Sequence, residues 1–288
     1  MNLLALRTRI RSLCREPREN YLLDSEITDW INDASFEATK DSGYPWKEMT
    51  LHGIEEQADY SYPSDFIKLQ PLLDVMFAKK ELTKKTEKWL QTEFPDYQSA
   101  TGVDFPEYCY TRFFNKLSIY PSPKLVASGT ATAGSGTSTL IDSSASFASS
   151  YVGHSIRNIT DGSNGLITAY ISATQITAAL SGGTNNVWAL GNTYKINKSG
   201  TVPYVYKETA MSADANESEI AKMFPYLIIY RVMPLAEVKV FRTDAGSQQQ
   251  TRVTRWDNYY TNELNRALNT VNRGLRGQDR TQGPVEIL

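Results

Sequence analysis

The stretch Ser128–Asn158, SGTATAGSGTSTLIDSSASFASSYVGHSIRN, opens a segment between Val126 and Ser199 that reads either as flexible linker or as a folded module. Its only charges are Asp142, Arg157, Asp161, Lys195 and Lys198, whereas both flanks are charge-rich. A disordered linker lacks regularly placed apolar residues. Here they recur as Leu140 and Ile141, Tyr151 and Ile156, Ile167 to Ile171, Ile176 and Leu180, and Val187, Trp188, Tyr194 and Ile196. Turn signals such as TDGSNG and SGGTNN separate them. Alternation with β-branched residues predicts a small all-β domain of about six short strands. The linker reading stays open for Ser128 to Ser138.

Outward from this segment the text changes. Residues 24–40, DSEITDWINDASFEATK, place Ile27, Trp30, Ile31, Ala34 and Ala38 on one helical face, with Asp24 or Ser25 as cap. Residues 2–14 form a second helix on Leu3, Leu6, Ile10 and Leu13, which turns Arg7, Arg9 and Arg11 toward solvent or a partner. From Met49 to Pro123 come short extended runs: ADYSYPSDFIKL, PLLDVMFAKKEL, and a hairpin in PEYCYTRFFNKLSIYPSP, with a short helix in KKTEKWLQTEFP. TVPYVYKETA adds a strand. NESEIAKMFPYLIIYRVMPLAEVKVF follows as helix, with Asn216 or Ser218 as cap, Ile220, Phe224, Leu227, Ile228, Val232, Leu235 and Val238 on its apolar face, and a bend at Pro234. A last helix, about Ser247 to Arg273, carries Val253, Trp256, Tyr260, Leu264, Ala267 and Val271 as a stripe and ends at Gly274 and Gly277.

The 288 residues have a formal charge of −2, which gives no general pull toward nucleic acid or anionic membrane. Cys14 and Cys109 match neither a disulfide framework nor metal-ligand spacing, so a reducing compartment is the simplest reading. Arginines interrupt the apolar start, no run is long enough for a membrane span, and the chain reads as cytosolic and unprocessed. His52 and His154 lie in unrelated segments, so neither a catalytic triad nor a zinc cluster has material. No phosphate-binding glycine loop is present, and no cofactor is expected. Asp161-Gly162 reads as a turn. Glu55/Glu56 or Glu217/Glu219 could serve glycoside hydrolysis, although such pairs are usually solvated surface charges. The C-terminal arginines, Arg252, Arg255, Arg266, Arg273, Arg276 and Arg280, read as ion-pair partners of interspersed acids rather than as a phosphate surface.

The order of elements then becomes informative. A helix at DSEITDWINDA, Trp46, YSYPSDFIKL, a strand LLDVMF, Pro106-Glu107-Tyr108, a strand ending LSIYPSP and two long helices resemble the head-to-tail adaptor (connector) proteins of tailed, short-tailed bacteriophages. The resemblance covers about residues 1–125 and 200–275. It implies an α+β fold with a mainly helical adaptor core and short β-hairpins, interrupted by the β-domain at 126–199 and followed by a C-terminal arm, 276–288. It further implies a non-enzymatic structural protein of the virion head-tail junction, assembled in the host cytoplasm. Such a protein forms a ring, usually a dodecamer, that joins the portal protein to tail nozzle and fibres and leaves a channel for double-stranded DNA without binding it specifically.

On this reading the stripe Val253, Trp256, Tyr260, Leu264, Ala267 and Val271 is buried partly within and partly between ring neighbours, and Arg276, Arg280, Val285 and Ile287 form a portal-binding arm. A negative lumen would let DNA slide during ejection. The alternative is a virion-associated peptidoglycan hydrolase. A third reading, a carbohydrate-binding tail protein with Trp188 and Tyr194 as stacking residues, competes with their use as core.

Overall fold

A computed structural model describes residues 1–16, 21–97, 102–113, 115–134, 136–241 and 246–279, except for the side chains of 246–249 and 276–279. The chain folds as two compact units. The first is Met1–Lys47, Ser64–Leu73 and Tyr204–Leu288; the second is Glu48–Pro63 and Asp74–Pro203.

The first unit is built on helices. In α1 (Leu3–Leu13) the Asn2 side chain accepts from the Ala5 N–H at 2.9 Å, and Leu3, Leu6 and Ile10 are buried. In α2 (Asp24–Ser42) Glu26 reaches back to the Leu23 N–H at 3.2 Å. The helix stops at Gly43, whose φ of 71° suits a residue without Cβ. Ser218 caps the short α4 (Glu219–Met223), and Pro225 occupies the first turn of α5 (Pro225–Val240), where its missing N–H costs nothing. α5 buries Leu227, Ile228, Ile229, Val232, Met233 and Ala236 nearly all round, so it is the central helix, packed on by α1, α2, α4 and α6 (Gly246–Asp279). It continues through Pro234 to Val240. In this unit β3 (Phe66–Leu69) pairs antiparallel with the end of β17 (Ser199–Tyr206), Tyr204 opposite Leu69.

Three expectations for these helices are corrected. Arg7 and Arg11 turn inward: Arg11 is 7% exposed, bonded to the Leu22 carbonyl at 2.6 Å and to Asp24 at 2.8 Å, and Arg7 pairs with Asp24 and Asp214. Only Arg9 of the three is exposed. Leu235 and Val238 are 50% and 41% exposed, because Ile229, Met233 and Ala236 take the inner face instead. α6 does not end at Gly274. A helical glycine costs only about 1 kcal/mol relative to Ala, and Leu275, 8% exposed, anchors the turn beyond it.

The second unit is built on strands. β2 (Asp59–Ser61), β8 (Lys116–Tyr120), β7 (Tyr108–Arg112) and β6 (Thr83–Lys84) form a sheet in that order. The expected hairpin is β7–β8, running from Tyr108 opposite Tyr120 to Arg112 opposite Lys116. β4 (Met76–Phe77) and β5 (Lys80–Glu81) make a tight hairpin, its turn residues Ala78 and Lys79 both at positive φ, the geometry that matches strand twist. β4 also pairs with the start of β17 at Gly200. Most of β1 (Trp46–His52) lies in this unit. Thr86 caps α3 (Glu87–Glu93). Leu90 of this helix packs with Tyr97 and Tyr110 in a small core.

The low-charge segment is folded, with eight strands among its described residues. β15 (Leu180–Ser181), β12 (Asn164–Leu166), β11 (Ser155–Asn158), β16 (Thr193–Asn197) and β9 (Leu125–Thr130) form one sheet, and β10 (Thr139–Ile141), β14 (Gln175–Thr177) and β13 (Ala169–Ser172) another. A 3-10 turn spans Ser149–Tyr151. The start of the stretch, open to a linker reading, holds the end of β9, buried Ala131 and bridges from Ala133 to Ile141 and Gly136 to Trp188. Its small residues are needed there. A Cβ on Gly129 would lie 2.5 Å from both the Asp142 carboxylate and the Tyr194 hydroxyl. Those two groups bond at 2.7 Å in the interior, and Asp142 also accepts from the Ser144 N–H and hydroxyl. Burial pushes the Asp142 carboxyl up, but these hydrogen bonds outweigh it and leave the group below its ordinary value.

A mainly helical core is therefore corrected. Helix accounts for 34% and strand for 28%, with six helices and four sheets among the described residues, and the chain is β-rich. The runs between Met49 and Pro123 look like isolated hairpins because alternation is a local signal. β2 with β8, parallel β6 with β7, and β4 with β17 pair across long separations, joining the runs into sheets. Among the described residues no helix is long and apolar enough to cross a membrane.

Candidate functional site

Groups capable of chemistry are tied into structure. His52 Nδ1 lies 3.0 Å from Ser155 Oγ, but Ser155 is 2% exposed in β11, closed to any substrate. Burial holds the His52 imidazole below its ordinary value. His154 packs beside Tyr151, ring centres 5.7 Å apart. Among the described residues no group of three or more His, Cys, Asp or Glu converges to hold a metal. Three of the four carboxylates of the hydrolase alternative are engaged, Glu55 with Lys195 at 2.6 Å, Glu219 with Lys222 at 2.6 Å, and Glu217 with the N-terminal ammonium, and the fourth, Glu56, is an exposed surface residue. Asp161 accepts from the Ser163 and Asn186 N–H groups, as a turn residue does. Trp188 and Tyr194 are 1% and 2% exposed and cannot stack on a sugar.

Both cysteines are free, and burial is the leading cause that pushes each thiol up to about 12; Glu237 and Glu16 add to the effect at Cys14. Hardly any thiolate exists at neutral pH. Both are therefore expected to resist a thiol reagent in the native chain and to titrate fully in denaturant, which a stopped-flow thiol assay checks.

The stripe on α6 faces the chain's own core. Trp256, Tyr260, Ala267 and Val271 are buried, Leu264 packs against the same core and Val253 is half-buried. Trp256 meets Tyr230 at 5.9 Å, and the Tyr260 hydroxyl donates to Asp41 at 2.7 Å. Among the apolar side chains this bundle leaves open are Leu4, Leu23, Met223, Tyr226, Leu235, Val238 and Tyr259. Of the proposed arm, Arg276 lies on the last turns of α6 with its side chain undescribed, and Arg280, Val285 and Ile287 lie outside the described residues. The other C-terminal arginines are partly spent in ion pairs: Arg255 crosses to Glu237 on α5 at 3.3 Å, and Arg266 meets Glu263 at 3.5 Å.

Two features escape a local reading of the sequence. A cleft of about 420 Å³ in the second unit is lined by Asp59, Tyr97, Tyr110, Arg112 and Tyr120, with Arg112 held by Asp59 at 3.0 Å and Glu87 at 3.3 Å. These come from three segments, so spacing could not reveal them. The other is Phe105, with the Lys80 and Lys198 ammonium groups 3.8 and 3.5 Å from its ring centre. The lysine-dense run KKELTKKTEK at 79–88 was the available signal.

No curated protein matches the chain. The family model described as SU10 adaptor protein matches residues 1–287. The chain therefore belongs to the SU10 adaptor protein family, structural adaptor proteins of the phage virion.

Proposed function

We propose that the chain is the head-to-tail adaptor of a short-tailed phage, forming a ring, taken as a dodecamer, between the portal and the tail nozzle and fibres. The observation that carries this reading is the match to the adaptor family along residues 1–287. Apolar side chains left open on the helical unit, Leu235, Val238, Tyr226 and Tyr259, support a contact between copies. Because the α6 stripe is largely spent within the chain, the ring contact falls to residues beside it. Residues 276–288, with Arg276, Arg280, Val285 and Ile287, act as the portal-binding arm, each weak contact multiplied around the ring. The low-charge segment 126–199 is an inserted domain that faces outward, and DNA passes through the centre without sequence-specific contact. Native mass spectrometry of the full chain, alone and with the portal protein, tests this: a closed oligomer that binds the portal is expected. A monomer that ignores the portal overturns it.

A further inference from the structure

The second unit holds a cluster of three lysines with a single carboxylate paired to it. The Lys80 and Lys198 ammonium groups sit on the same Phe105 ring, so they are no farther apart than their two ring distances combined. A ring face attracts an ammonium but leaves its charge intact. Lys79 precedes Lys80 in the β4–β5 turn and is exposed. Burial chiefly, then Lys198 and Lys79, hold the His154 imidazole below its ordinary value, which places both lysines within electrostatic reach of one point. Against the three ammonium groups stands Asp104, largely exposed and 3.8 Å from Lys198.

The first unit carries the opposite pattern. α2 exposes Asp29 and Asp33 one turn apart, neither with an ion pair among the described residues, and Glu37 on the next turn meets Lys40 only at 3.8 Å. Like charges at this spacing destabilise a helix. Arg231 lines the same cleft as Asp33 and Glu37, but so does Asp257, and Arg231 is stacked on Tyr260 at 5.4 Å. With 30 basic and 32 acidic residues, the chain as a whole is nearly balanced. The two patches are local departures from that balance.

We infer that the Lys79–Lys80–Lys198 cluster of one copy docks on the Asp29–Asp33–Glu37 row of a second copy. The inference rests on the ring reading: a closed head-to-tail ring joins two different surfaces of each copy, and these two patches are complementary in charge. A nucleic acid is the less favoured occupant. The Phe105 ring on which a base would stack already carries two lysines, and the chain's near-balanced charge adds no general pull toward phosphate.

The test is native mass spectrometry of three full-length variants beside the wild type: Lys79→Glu with Lys80→Glu, Asp29→Lys with Asp33→Lys, and all four together. Circular dichroism establishes that each is folded. Each pair of reversals should weaken assembly at least about tenfold, and the fourfold variant should restore it, as should an equimolar mixture of the two double variants. A wild-type chain that never oligomerises removes the ring reading and this inference together. Rings that persist unchanged in both double variants leave the ring standing and overturn the docking surface. Loss of assembly without rescue rejects α2 as the partner. A lysine variant that keeps its ring but loses binding of a fluorescent DNA duplex would assign the cluster to nucleic acid instead.

Discussion

Trp188→Ala is expected to destabilise the second unit by about 3–5 kcal/mol, the range for removing a large buried aromatic. Trp188 is among the largest fully buried side chains, its indole N–H donates to the Ala178 carbonyl at 3.0 Å, and its ring meets Tyr194 edge-on at 6.3 Å. Removal opens a cavity beside the Tyr194–Asp142 hydrogen bond. Because the chain has two units, a single melting curve would blend them, so the proper readout is hydrogen exchange. Amides of β11 and β16 should exchange far faster while those of α5 hold. Trp188→Phe should recover part of the loss. A change below about 1 kcal/mol, the size of an ordinary surface effect, would mean that the two sheets do not share this core.

Gly165→Ala comes next, at about 2–4 kcal/mol from overpacking against atoms that cannot yield. Gly165 is paired on both sides, opposite Ile156 on β11 and Leu180 on β15. An added Cβ would lie 2.3 Å from the Ala179 carbonyl oxygen and 3.1 Å from its carbon. Both are backbone, so no rotamer change relieves the contact, and a strand pair must part. Gly162→Ala is the control. Its φ of +80° strains any other residue, but open space surrounds it, so its cost should stay near 1 kcal/mol. Urea titration read by exchange at β12 separates the two, and equal losses would show that backbone angle rather than crowding sets the effect.

What could be seen in the sequence follows the range of each physical signal. α2, α3, the β7–β8 hairpin and the capped start at Ser218 rest on spacings of two to four residues, and all are present. The low-charge segment was legible as strands because apolar residues recur between turn signals. Its pairing was not: β9 meets β16 across more than sixty residues, and nothing in either strand names the other. The inner face of α5 was misassigned at Leu235 and Val238 because a helix apolar nearly all round has no single moment to read. Charges usually point outward, yet Arg7 and Arg11 lie against the helices and pair with Asp24 at the surface edge. The lysine cluster needs Phe105 and Lys198 brought to one turn, a fact of tertiary structure alone.

The helical unit is assembled from three stretches of chain, with α1 and α2 finished by Ser42 and the central α5 beginning only at Pro225. During synthesis at about 5–20 residues per second, the two early helices wait on the order of ten to forty seconds for the element that covers them. Through that interval Leu3, Leu6, Ile10, Ile27 and Ile31 lack their α5 partners, while the strand-built unit has its whole sequence in hand first. Translation order thus leaves the apolar faces of the N-terminal helices uncovered until the last helices emerge.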